Sequence, residues 1–155
     1  MAQSRFWLVK TEPHLYSIED MERDGATPWD GVRNYQARNF MRDGMRPDDR
    51  VLVYHSQADP LGVYGVARVV GPAHPDATQF DRKSQYYDAT SSPDDPRWWC
   101  VDLGHVGTFR SPVTRDAMKA EPGLAGMRLL KRGMRLSVMP VERDEFDLIV
   151  SLSRP

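Results

Sequence analysis

Two strand-like runs constrain this chain more than anything else in it. Arg50-Val51-Leu52-Val53-Tyr54-His55-Ser56 and Gly62-Val63-Tyr64-Gly65-Val66-Ala67-Arg68-Val69-Val70 are rich in β-branched and aromatic residues, and a short segment with Asp59-Pro60 separates them. That pattern predicts a hairpin. Side chains alternate along a strand, so Leu52, Tyr54 and Ser56 take one face and Val51, Val53 and His55 the other. Gly62 and Gly65 fall inside the second run, where glycine marks a bulge or a close backbone approach. Three further runs read as strands: Arg5 to Lys10, stopped by Pro13; Arg97 to Leu103, continuing toward Phe109; and Arg135 to Pro140.

Helix signals lie between and after these runs. Ser17-Ile18-Glu19-Asp20 resembles a capping box opening a short helix to about Gly25. Asn34 caps a helix reaching Gly44, with Ala37, Phe40 and Met41 at helical spacing. Ser111 to Thr114 caps a helix over about Arg115 to Ala120, and a second short helix is expected over Leu124 to Leu130. Phe146, Ile149 and Val150 recur as on an amphipathic helix docked on a core. Gly71 to Pro96, dense in Pro, Asp, Ser and Gly, reads as a long irregular loop of the kind that carries function. The expectation is one domain of 155 residues, an α+β fold with a small mixed β-barrel and flanking helices.

Thr27-Pro28-Trp29-Asp30-Gly31-Val32-Arg33-Asn34-Tyr35-Gln36-Ala37-Arg38-Asn39 concentrates turn formers, an aromatic ring, amides and guanidinium groups. Pro28 and Gly31 imply a sharp turn that presents Trp29 at a loop-to-helix junction. A rigid indole beside amides and helix N-terminal N–H groups suits a planar ligand with polar edges, such as a nucleobase. A tryptophan plugging the end of a small barrel accounts for the same residue equally well.

Catalytic chemistry is poorly represented. His14, His55, His74 and His105 are scattered, and neither a His-x-x-x-His nor a Cys-x-x-Cys spacing occurs, so no protein-built zinc site, cofactor or turnover is expected. Ser56, His55 and Asp102 make a poor hydrolytic triad, because adjacent strand residues point to opposite faces. The single Cys100, between Trp99 and Val101, reads as an inert buried thiol. It cannot form an internal disulfide, and the sequence starts without a basic and apolar leader, so a cytoplasmic setting is expected.

With 21 basic and 22 acidic residues the net charge of -1 argues against a uniformly basic nucleic-acid coat. Local basic clusters remain. Arg33, Arg38, Arg42 and Arg46 accompany the second helix, and Arg128, Lys131, Arg132 and Arg135 precede the closing strand. Either set suits phosphates, and either suits a plain solvated face.

Phe6-Trp7-Leu8-Val9-Lys10-Thr11-Glu12-Pro13, Tyr16-Ser17-Ile18, the run from Trp29 to Asn39, Val53-Tyr54-His55-Ser56, Tyr86-Tyr87-Asp88, Pro96-Arg97-Trp98 and Leu136-Ser137-Val138 together resemble an EVE domain, from about residue 5 to 152. Thr11 stands where serine is common in that family, which keeps the hydroxyl. The resemblance implies a PUA-like fold related to YTH and ASCH domains, and a non-catalytic reader of modified bases in DNA or RNA. Carried onto this chain, it implies a pocket with Trp29 as aromatic wall, Asn34 and Ser56 reading base edges, and Tyr35, Lys10 and Thr11 at the rim. Tyr86 and Tyr87 are candidates for a second wall, and Arg33, Arg38 and Arg42 for phosphate contacts. A monomer without membrane partners is assumed. The competing readings are an enzyme acting on a nucleotide or small planar metabolite, which a deep pocket with perturbed ionisable groups favours, and a protein-interaction module, which a flat apolar patch favours.

Overall fold

A computed structural model describes residues 5–153. At its centre is a six-stranded mixed sheet in the order β2-β7-β4-β3-β1-β8, built from β1 (Phe6–Thr11), β2 (Ala26–Pro28), β3 (Arg50–His55), β4 (Gly62–Val69), β7 (Asp102–Thr114) and β8 (Val138–Val141). β5 (His74–Pro75) and β6 (Trp99–Cys100) pair separately. The long sheet curls into a half-barrel whose edge strands, β2 and β8, do not pair with each other. The α+β class and small mixed barrel expected from the sequence are therefore present, with the barrel open along one side.

The β3–β4 hairpin forms as the apolar runs require. Its register slips between Val53 and Tyr54, so Tyr64 is the extra residue of a bulge. Gly65 is needed there, since a Cβ would fall 2.5 Å from the Gly107 carbonyl oxygen and 2.8 Å from the Ile18 side chain. β1 lies parallel to β3 and antiparallel to β8. Strand alternation splits the interior in two. Trp7, Val9, Val51 and Val53 face one apolar cluster, and Leu8, Leu52, Tyr54 and Met139 face the other. Both sheet faces are thus covered, which is why β3 reads as a continuous apolar run.

Among the described residues four α-helices flank the sheet: α1 (Ile18–Asp24), α2 (Tyr35–Asn39), α3 (Arg115–Lys119) and α4 (Arg143–Leu152). The Ser17 capping box forms as its spacing predicts, and Gly25, at φ 80°, closes α1. α2 continues into one π-helical turn, Phe40–Gly44. The helix expected over Leu124 to Leu130 is instead two separate 3-10 turns, Pro122–Leu124 and Arg128–Leu130. Gly123 and Gly126 disfavour a continuous helix, and Leu124, Met127 and Leu129 still reach the second cluster without one. Two other readings are corrected. Ala26–Pro28 is an edge strand on β7 and not only a turn. β7 runs past Phe109 to Thr114, whose hydroxyl caps α3. Among the described residues no helix is long and apolar enough to cross a membrane.

Asp49 ties the sheet's start to its first turn. The side chain is buried, yet its carboxylate accepts from Trp7 Nε1 at 2.9 Å and from the backbone N–H groups of Arg5 and Arg46, each at 3.0 Å. Replacing it by alanine orphans three donors, one on a fully buried indole. Asp49→Ala is expected to lower unfolding stability by about 2–3 kcal/mol in a denaturant titration, whereas Asp49→Asn retains part of the network and loses less.

Candidate nucleic-acid interface

A cleft of about 610 Å³ opens across the unclosed side of the half-barrel. Lys10 and Thr11 at the end of β1, Ser56 at the end of β3 and Ser137 at the entry to β8 face the chain that leaves β2 through Pro28, Trp29 and Asp30. The floor is Trp29. Its ring packs into the first apolar cluster at 8% exposure, and the Tyr16 ring meets it edge-on at 6.2 Å. The two readings of Trp29 thus merge, because it plugs the end of the core and lines the cleft. The turn at the loop-to-helix junction thus presents the indole to the cleft while burying most of it.

Electrostatics within the cleft are uneven. Burial, with the charge of Arg115, lowers the Lys10 pKa. Burial and a hydrogen bond from its hydroxyl to Asp24 push Tyr16 up to about 12. Asp30 is raised by burial and by the nearby charge of Asp76. The Thr11 hydroxyl donates to the Tyr16 carbonyl at 2.8 Å, leaving its lone pairs toward the cleft as acceptors.

One wall is held by a network the sequence does not announce. Asp76, 1% exposed, accepts from Gly31 N at 2.8 Å, Arg33 Nη1 at 3.0 Å and Thr78 N at 2.8 Å. Arg33 spends every remaining donor locally, on the Val32 carbonyl, the Thr78 hydroxyl and twice on the Tyr86 carbonyl. These bonds staple the segment after β4 to the Trp29 turn and bring the Tyr86 ring against Gly31. A Cβ at Gly31, where φ is 81°, would stand 2.7 Å from that ring, so glycine is required for both conformation and space. The Gly71 to Pro96 segment is the long loop expected, with only β5 and a 3-10 turn, Ala77–Phe80, as regular structure, but side-chain hydrogen bonds fix it in place. Gln79, fully buried, accepts from Trp98 N and the Ser91 hydroxyl and donates to the carbonyls of Asp76 and Trp98.

Of the residues singled out from the sequence, Trp29, Lys10, Thr11, Ser56, Tyr86 and Arg33 line the cleft. Asn34, Tyr35, Tyr87, Arg38 and Arg42 do not. Asn34 spends its carbonyl oxygen capping α2 through Ala37 N and borders a second cleft. Tyr35 lies outside, stacked on Trp98 at 4.8 Å, with the Arg38 guanidinium 4.7 Å from its centroid. Arg38 also donates to the Arg97 carbonyl, and Arg42 is paired with Asp43. Tyr87 is exposed outside the cleft. Sequence reasoning missed Asp30, Asp76 and Ser137 as lining or organising residues, and had Arg135 only as part of a basic cluster. Tyr16 and Ser137 lie in motifs that carry the family resemblance, but Asp76 has no local signal, since Arg33 and Gly31 stand 43 and 45 positions away.

The residues from which a hydrolytic triad or a thiol nucleophile would be built are committed elsewhere. His55 Nε2 accepts from Ile18 N at 3.2 Å and the ring stacks on Tyr64 at 4.1 Å. Burial lowers its pKa, which keeps the imidazole a neutral acceptor. Asp102 pairs with His74 at 2.8 Å, not with His55. Burial opposes protonation of His74, but hydrogen bonds to Asp102 and Pro75 and the charges of Asp102 and Asp76 raise it overall. Cys100 Sγ lies 3.9 Å from both ring nitrogens of His74, equidistant instead of aligned on one. Burial raises that thiol, and Asp76, Asp30 and Asp102 raise it further, the opposite of an activated nucleophile. Among the described residues no three His, Cys, Asp or Glu side chains converge as metal ligands.

A half-open mixed barrel with an aromatic-floored cleft across its seam places the chain in the PUA-like class. The EVE domain model matches residues 5–152, and the chain belongs to that family. Thymocyte nuclear protein 1 of Mus musculus is 39% identical over 168 residues, covering 96% of this chain and 74% of that protein. A crystal structure of a Pseudomonas syringae protein superposes with a TM-score of 0.91 at 39% identity, over 96% of this chain and 99% of that one. The structure of human THYN1 protein in complex with 5-methylcytosine-containing DNA superposes with a TM-score of 0.90 at 35% identity, over 98% and 99% of the two chains.

Proposed function

We propose that this protein is a nucleic-acid-binding reader that holds an extruded modified base in the cleft above Trp29. The observation that carries the reading is an indole-floored cleft of about 610 Å³ with hydroxyl groups and a lysine at its rim. A relative 35% identical across nearly the whole chain binds 5-methylcytosine-containing DNA, which makes DNA the first polymer to test and RNA the second. An unstacked base needs a flat apolar surface and a few polar partners at its edge. Trp29 and Tyr86 offer the first, and Ser56, Thr11 and Ser137 the second. A methyl group adds apolar area worth roughly 0.8 kcal/mol when buried.

Asp30 sets the choice of base in this reading. Its carboxylate lines the cleft, and among the described residues no other side chain hydrogen-bonds to it. A carboxylate accepts and does not donate, so it favours bases with an exocyclic amine, cytosine, adenine or guanine, over thymine and uracil, whose edge offers only one ring N–H. Binding without turnover completes the reading, supported by the commitment of His55 and Asp102 to other partners.

Fluorescence anisotropy with short DNA and RNA strands carrying cytosine, 5-methylcytosine, adenine, 6-methyladenine or thymine tests it. Tighter binding of a methylated strand than of its unmodified twin is expected. Asp30→Asn, which both donates and accepts, is expected to lose roughly tenfold of the preference for amino-bearing bases over thymine. Because the Asp30 pKa is raised, its acceptor form is lost at a higher pH than for an ordinary aspartate. On acidification the wild-type preference therefore fades at a higher pH than an ordinary aspartate would impose, and that fading is absent in Asp30→Asn. Equal binding of every methylated and unmodified pair sinks the reader, and hydrolysis of a nucleotide that disappears in Ser56→Ala replaces it with an enzyme.

A further inference from the structure

The second cleft, about 570 Å³, adjoins the first through Arg135, which lines both. Arg128, Lys131 and Arg132 line it with Arg135, and all four are exposed. The segment is anchored from beneath. Met127 and Leu129 are buried in the second apolar cluster, and the turns Lys131 N to Arg128 O and Met134 N to Lys131 O fold the segment while Arg128, Lys131 and Arg132 stay exposed. Gly133, at φ 79°, completes the bend.

Like isolated cations such as Arg50, Arg110 and Lys119, and unlike the paired arginines, these four have no carboxylate partner among the described residues, and they are grouped around one cleft. Arg23, Arg33, Arg42, Arg68 and Arg143 each sit within 4 Å of a carboxylate. Among the described residues, none of Arg128, Lys131, Arg132 and Arg135 has an ion pair or a side-chain hydrogen bond. In a chain with net charge -1, four uncompensated cations around one concavity form a local field for an anionic ligand. The cluster expected from the sequence to contact phosphates, Arg33, Arg38 and Arg42, has its guanidinium groups largely engaged within the protein.

We infer that this second cleft is the track for the phosphodiester backbone of the strand whose base enters the first. The inference rests on the reader reading for its ligand, but it concerns affinity and not base choice. Arg135, at the junction, takes the phosphate next to the extruded nucleotide. Arg128, Lys131 and Arg132 take the phosphates that follow, and the Asn34 and Gln36 side chains along the same wall supply amide donors.

Lys131→Gln/Arg132→Gln tests this against Arg68→Gln/Arg143→Gln, which removes the same charge at positions lining neither cleft. Each protein is titrated with an unmodified single-stranded DNA and its 5-methylcytosine twin at several salt concentrations. Two lost phosphate contacts on a single strand are expected to flatten the slope of log K against log salt by about 1.4 and to weaken both strands roughly 25-fold near 0.1 M salt, with the methyl preference unchanged. The control pair is expected to stay within twofold of wild type. Arg128→Gln alone, expected to flatten the slope by about 0.7, guards against a fold defect in the double variant. An unchanged slope in both cleft variants overturns the track even if methyl preference persists. A flattened slope with no methyl preference in any protein supports the track while the base reading falls. No nucleic-acid binding by wild type overturns both.

Discussion

Trp29→Ala is expected to lower unfolding stability by about 3–5 kcal/mol and to abolish binding of the methylated strand. The size follows from burial. At 8% exposure the indole packs within the first apolar cluster and against Tyr16, and truncating a buried tryptophan removes both its transfer free energy and its packing partners. Chemical denaturation followed by circular dichroism measures the loss. The alanine variant alone cannot divide core from ligand, because a loosened floor deforms the cleft as well. Trp29→Phe separates the two. It keeps an aromatic in the core at a smaller cost and removes much of the stacking area, which is worth roughly 1–3 kcal/mol per base. A folded Trp29→Phe protein with about tenfold weaker binding to the methylated strand supports a stacking floor. Wild-type affinity and preference in that variant leave Trp29 as a plug only.

Asp76→Ala is expected to be of similar magnitude, about 3–5 kcal/mol, for a different reason. Asp76 is nearly inaccessible, and its ion pair with Arg33 lies 23% exposed on the arginine side. Deleting one member of such a pair strands the other, together with the N–H groups of Gly31 and Thr78. Asp76→Ala/Arg33→Met is therefore expected to be less destabilised than the two single changes summed, by about 1 kcal/mol or more, and a purely additive double variant refutes the coupling. Acid sensitivity gives an independent check. Burial pushes the Asp76 carboxyl up, but hydrogen bonds from Thr78, Gly31 and Arg33 outweigh it and hold its pKa below the usual range. A depressed folded value contributes stability above the unfolded carboxylate pKa of about 3.9, lost as pH falls through the lower folded value. Asp76→Asn lacks that contribution, so its stability should fall less steeply in acid than wild type. Since the same network sets Tyr86 against Gly31, these variants should also weaken base binding without altering the salt slope.

Much of the fold follows from local chemistry. The β3–β4 hairpin, the Ser17 capping box and the Asn34 cap are legible in the chain because each rests on residues within a few positions of one another. The glycines of β4 are legible as points of close approach, because an apolar strand gives up side-chain packing at a glycine only where a backbone or bulge needs the room. The same logic fails over Leu124 to Leu130, where two 3-10 turns satisfy the helical apolar spacing. Apolar spacing reports which side chains must reach the core, and two short turns deliver them as well as a helix does.

The candidate site divides along the same line. Local sequence is enough to put Trp29 at a constrained turn, because Pro28 and Gly31 act through their own backbone, whereas Thr11 and Ser56 join it only through the family resemblance. It does not choose between the two basic clusters. Composition makes Arg33, Arg38 and Arg42 look as available as Arg128, Lys131, Arg132 and Arg135. Folding brings Asp76 and the Tyr86 carbonyl to Arg33, lays Arg38 on Tyr35, and leaves the second cluster unpaired around a cleft. A charge is free or spent according to what lies within about 4 Å of it. For a side chain whose partners are tens of residues away, that distance is set by tertiary packing and by nothing in the neighbouring sequence.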